Sequence, residues 1–143
     1  NNEDLTMFVR LGSDFTDNYY EYELPLNLTS PGAVLPEDIW PSTNEMEISF
    51  DDLLKLKEKR NSLIAGGNST VSYLIEYAEA DPQNGKRFIK VKGSPNLQGL
   101  KTLMIGVRNP GQNQVNPWPN GGVDNGNPHC AIVWVNELRL AFG

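Results

Sequence analysis

The stretch Asn18-Tyr19-Tyr20-Glu21-Tyr22-Glu23-Leu24-Pro25-Leu26 decides the fold class. Tyr20, Tyr22, Leu24 and Leu26 alternate with Tyr19, Glu21 and Glu23, and a period of two carried by aromatic residues is the pattern of a half-buried strand. The same period recurs on either side. Leu5, Met7, Val9 and Leu11 alternate with Thr6, Phe8 and Arg10. Val71, Tyr73, Ile75 and Tyr77 alternate with Ser72, Leu74 and Glu76, and Arg87, Ile89 and Val91 with Phe88, Lys90 and Lys92. From Lys101 to Val107, Leu103, Ile105 and Val107 share one side. Cys130 to Leu140 opens with an apolar run through Ala131 to Val135. A run apolar on both faces predicts a central covered strand, with Cys130 at its start and Ile132 and Trp134 in the core.

One amphipathic helix is predicted over about residues 50–64. Ser49 stands three residues before Asp52, near capping-box spacing. Acids open the segment and bases follow, as the helix dipole favours. Leu53, Leu56, Arg60 and Leu63 fall on one face, and Gly66-Gly67 stops the helix. Asp81-Pro82-Gln83-Asn84-Gly85 reads as a turn in which Pro82 presets φ and Asn-Gly supplies positive φ. The longest connection is Asn109 to His129, where 14 of 21 residues are Gly, Pro or Asn; connections of this length in compact domains are usually functional or disordered. Strands do not alternate with helices, so a parallel βαβ plan is disfavoured. The expected fold is mostly β, an antiparallel β-sandwich of jelly-roll type with one short helix, in a single domain over residues 1–143.

Composition narrows the function. The chain has 143 residues and a formal net charge of −6. At 15.9 kDa it is large enough for one real core. The acidic balance argues against a nucleic-acid partner, which needs a basic face. No apolar run is long enough for a membrane-spanning helix, so no membrane insertion is expected of this domain. The start, Asn1-Asn2-Glu3-Asp4, has no signal-peptide character, and the chain reads as a piece of a larger protein. Cys130 is alone, which rules out an internal disulfide.

Catalytic signals are sparse. His129 and Cys130 are neighbours, and adjacent strand residues point to opposite faces, which disfavours a Cys-His pair. With one histidine and one cysteine, zinc is not expected. Glu21 and Glu23 share a strand face and could flank a sugar as a glycosidase pair; the expectation is instead a solvated outer face. Asp14 to Asn18 and Asp124 to Asn127 are oxygen-rich, but Asx turns account for such loops without calcium. No catalytic residue, metal or cofactor is expected. Two Asn-x-Thr triplets, at Asn27 and Asn68, match the short glycosylation pattern. The candidate contact surface is Trp118, between Pro117 and Pro119, together with Trp40 before Pro41: a tryptophan on a proline-stiffened loop can anchor a partner or stack on a sugar.

Three strings then matter as an ordered set: Phe8-Val9-Arg10-Leu11-Gly12-Ser13-Asp14-Phe15 leading into Asn18 to Leu26; Val91-Lys92-Gly93-Ser94-Pro95-Asn96-Leu97 leading into Met104 to Pro110; and Val133-Trp134-Val135-Asn136-Glu137-Leu138-Arg139-Leu140. Together they resemble the SprA (Sov) family, gliding-motility and cell-surface proteins of Bacteroidota. The resemblance implies a role in type IX secretion, as one domain of a very large outer-membrane β-barrel translocon, on its periplasmic or cell-surface side. It carries no catalytic motif. The implied partners are other domains of the parent protein, secretion-system subunits or secreted cargo. The expected function is therefore a non-enzymatic structural or interaction domain; the alternative is a carbohydrate-binding module of jelly-roll type.

Overall fold

The computed structural model describes residues 5–109 and 128–139. Five strands form one antiparallel sheet: β1 (Thr6–Gly12), β2 (Tyr19–Pro25), β3 (Tyr77–Asp81), β4 (Asn84–Lys92) and β5 (Thr102–Arg108), in the order β3-β4-β2-β1-β5. A one-turn helix, α1 (Pro36–Ile39), and the longer α2 (Phe50–Ala65) lie between β2 and β3. The antiparallel, mostly-β class and the helix match the sequence reading. The described residues hold one sheet rather than the two layers of a sandwich.

Register follows from the two faces. Val9 lies opposite Tyr22 and Ile105, Leu11 opposite Tyr20, and Tyr20 opposite Val91. That apolar face is covered by α2, whose buried Leu53 and Leu56 join Val9, Leu11, Tyr20, Tyr22, Ile89 and Val91 in one cluster. Full burial of such a leucine contributes about 1.5–3 kcal/mol. Ser49 caps α2 by accepting from the Asp52 N–H at 3.2 Å. The helix lies over the sheet face at β4 and the edge strand β3.

Three expectations about strands need correction. Residues 71–76 form no strand, with a turn at Tyr73-Leu74, and β3 begins only at Tyr77. Here side chains near the backbone compete with a ladder: Asn68 Oδ1 accepts from the Thr70 N–H at 2.9 Å and Ser72 Oγ from the Leu74 N–H at 3.1 Å. The β3–β4 turn is Pro82-Gln83, two residues earlier than Asn84-Gly85. Asp81 Oδ1 fixes it by accepting from the Gln83 N–H at 2.9 Å, and Gly85 is in β4 without positive φ. Cys130 to Arg139 forms no strand: Ile132 is 87% and Trp134 79% exposed, and Cys130 is exposed as well. The apolar run was expected to be a core strand, yet the core cluster is filled by β1, β2, β4 and α2 without it.

Two glycines check this geometry. Gly93 has φ +65°, and a Cβ there would meet Asp17 O at 1.9 Å. Gly85 has open space around it. Gly93→Ala is expected to destabilise the chain by about 1–3 kcal/mol or more. Gly85→Ala should leave stability within about 1 kcal/mol of the parent. Urea denaturation of both variants checks the pair.

Candidate functional site: a buried ionic cluster on the second face

The face opposite α2 carries Thr6, Phe8 and Arg10 from β1, Tyr19, Glu21 and Glu23 from β2, Phe88, Lys90 and Lys92 from β4, and Gly106 and Arg108 from β5. Antiparallel register sets Arg10 opposite Glu21, Glu21 opposite Lys90, and Thr6 opposite Arg108. Opposite charges thus meet across three neighbouring strands. The expected solvated face is not what forms: Glu21 is 1% and Glu23 3% exposed.

Both carboxylates are fully engaged. Glu21 Oε1 accepts from Lys90 Nζ and from Arg108, each at 3.1 Å. Glu21 Oε2 accepts from Arg10 Nε at 2.8 Å and from Arg108 at 3.3 Å. Glu23 Oε1 accepts from the Thr6 hydroxyl at 2.6 Å. Glu23 Oε2 takes Lys90 Nζ and, at 2.6 Å, Arg108. Glu76 adds a third carboxylate, 3.5 Å from Lys90 Nζ, and accepts from the Tyr19 hydroxyl at 2.8 Å. Three acids therefore face three bases. Aromatic rings brace the cations: Arg10 lies 3.8 Å from the Tyr19 ring centre and Arg108 4.4 Å from that of Phe8. Gly106 makes room for Phe8, because a Cβ there would sit 2.5 Å from the ring.

The electrostatics follow from this packing. Burial pushes the Glu21 carboxyl up, but Lys90, Arg108 and Arg10 outweigh it and hold the carboxyl below its ordinary range. Burial pulls the Lys90 ammonium down, and Glu23, Glu21 and Glu76 outweigh it and hold the ammonium above its ordinary range. At neutral pH the cluster is a set of fixed charges. A glycosidase acid needs a raised pKa and a carboxyl free to donate; Glu21 has neither.

The remaining candidates separate. Trp40 caps α1, its N–H bonded to Pro36 O at 2.8 Å, and is half-exposed. Leu28, Val34, Leu35 and Ile39 of the same stretch are exposed too. Trp118 and the Asp124–Asn127 loop lie outside the described residues. Asp14 spends its carboxylate on its own turn: Oδ1 accepts from the N–H groups of Thr16, Asp17 and Asn18 at 2.9, 2.6 and 3.0 Å. Among the described residues, no group of three or more His, Cys, Asp or Glu is placed to hold a metal ion.

One buried cation under α2 is of a different kind. Arg60 is fully buried, lies 4.8 Å from the Tyr73 ring centre, and among the described residues donates only to Asn61 Oδ1. Its remaining terminal nitrogen and the Tyr20 hydroxyl are the buried polar side-chain atoms without a partner among the described residues.

The two cation environments predict opposite responses. Glu21→Gln leaves Arg10, Lys90 and Arg108 short of charge and should cost about 3–5 kcal/mol in chemical denaturation. Arg60→Met removes a cation with no carboxylate partner among the described residues, so stability should stay level or rise by about 1–4 kcal/mol. The acid limb follows from Glu21, whose folded pKa lies below the ordinary 4.5. Its contribution is complete above 4.5 and is lost as pH falls through the folded value, so stability should drop on acidification below 4.5. Glu21→Gln should flatten that slope in denaturation curves taken at stepped pH.

Comparison with known proteins gives the chain its place. No curated protein matches it. The sequence matches a protein family described as motility related/secretion protein over residues 1–142, nearly its whole length. The chain thus belongs to the SprA amino-terminal family of motility-related and secretion proteins.

Proposed function

We propose that this chain is a non-enzymatic structural and interaction domain of a SprA-type translocon, working in type IX secretion and gliding motility at the bacterial outer membrane. Family membership supports a motility and secretion role. The observation that carries the non-enzymatic reading is the state of Glu21 and Glu23: buried, and met on every oxygen by the protein's own donors. Carboxylates so engaged hold four strands together and are not free to take part in proton transfer. Among the described residues no helix is long and apolar enough to cross a membrane. The domain sits on the periplasmic or cell-surface side, against other domains of the parent, secretion subunits or cargo. Half-exposed Trp40 and, in the long loop, Trp118 are its contact residues.

The test is made in the parent protein. Removing residues 1–143 in frame should abolish release of cargo bearing the type IX signal while the parent remains in the outer membrane. Normal secretion and gliding would contradict the proposal. In the isolated chain, Trp40→Ala and Trp118→Ala should each shift stability by no more than about 0.5 kcal/mol. Returned to the parent, the same changes should lower secretion. A loss of stability with no loss of secretion would make these tryptophans packing residues. Saturable quenching of tryptophan fluorescence by polysaccharides would favour a carbohydrate-binding module instead.

A further inference from the structure

We infer that Ala131 to Asn136 is a donor strand, and that it pairs with the outer edge of β5 in a second copy of this chain. Four observations converge. First, Ile132 and Trp134 project from this segment 87% and 79% exposed, and Val135 is 57% exposed. Large apolar side chains massed in one short extended stretch are the mark of an interface. Second, the segment makes no backbone hydrogen bond among the described residues, so its N–H and C=O groups are available to a ladder. Glu137, with φ +45°, ends the extended run. Third, β5 is the last strand of the sheet among the described residues, where it is bonded to β1 alone. Its seven residues contain no proline and carry charge only at Arg108, so the strand itself supplies little of the usual protection of an edge. Fourth, the β5 residues on the helix side of the sheet are underfilled: Leu103 is 43% and Val107 40% exposed.

Donor and acceptor match in length, six residues against seven, and in pattern. Ile132 and Trp134 alternate with Val133 and Val135, so one side of the donor can cover Leu103, Ile105 and Val107 while backbone bonds form along the edge. An antiparallel register with Trp134 opposite Ile105 and Ile132 opposite Val107 puts both large side chains on the helix side of the sheet and keeps Arg139 away from Arg108. Because each copy carries both a donor and an acceptor, reciprocal exchange closes as a two-fold dimer and leaves neither edge open. The pairing does not depend on the translocon role.

The experiment uses the 143-residue chain itself. Light scattering after size exclusion, from low to high micromolar, should show a monomer–dimer equilibrium. Hydrogen exchange should slow at Leu103 to Val107 and at Ile132 to Val135 as dimer forms. Val133→Pro removes a donor N–H from the segment and should weaken self-association by about tenfold or more, with unchanged circular dichroism. Trp134→Glu should do the same. A chain that stays monomeric throughout overturns the inference. So does a dimer indifferent to both changes. A monomer already protected at Leu103 to Val107 also overturns it, since the segment would then lie on its own edge.

Discussion

Glu21 is an ionised carboxylate that is almost wholly buried, and the second face of the sheet depends on it. Moving such a charge out of water costs several kcal/mol even after the protein relaxes. The cost is offset because β1, β4 and β5 each bring a cation to it: Arg10, Lys90 and Arg108. Glu23 shares two of those cations and adds Thr6, so its charge helps fix the same strands. The network ties together four of the five strands from the side that α2 does not cover. In this fold the ionic cluster does on one face what Leu53, Leu56 and their neighbours do on the other.

The two faces hold the sheet by different physics. The apolar face tolerates some exchange of shape, because dispersion and burial are spread over many contacts. The ionic face is directional, since each oxygen has a named donor and the loss of one partner leaves another charge buried alone. Register is thereby specified twice. A one-residue slip of β2 would take Glu21 and Glu23 into the leucine cluster and Tyr20 and Tyr22 out of it. That double specification suits the proposed role, in which the domain presents surfaces on a fixed frame. The surfaces it presents are the half-exposed stretch around Trp40 and the apolar segment at Ile132 and Trp134.

Much of this was legible in the residues. The alternation in Thr6–Gly12 and Tyr19–Pro25 reads directly as two paired strands, and Ser49 with the spacing of Leu53, Leu56 and Arg60 reads as a capped amphipathic helix. The ordered strings around Arg10, Gly93 and Trp134 carried the family. The ionic cluster was harder to see, because a Glu alternating with Tyr looks the same whether its face meets water or three cations. The signal lies in the register, which sequence periodicity alone does not supply: Arg10, Lys90 and Arg108 are spread over three strands and nearly a hundred positions. Val71 to Glu76 alternates as a strand does, yet Asn68 and Ser72 turn the backbone locally. Ala131 to Val135 has core composition, but composition does not say whose core it fills.

The most direct test of this account is the protonation of Glu21 itself, followed by carbon NMR of the side-chain carboxyl as pH is lowered. The account predicts a carboxyl that stays ionised down through the ordinary value of 4.5 and takes its proton only below it. A Glu21 that binds its proton above 4.5 would contradict it, and would turn the cluster from a fixed ionic brace into an acid able to donate.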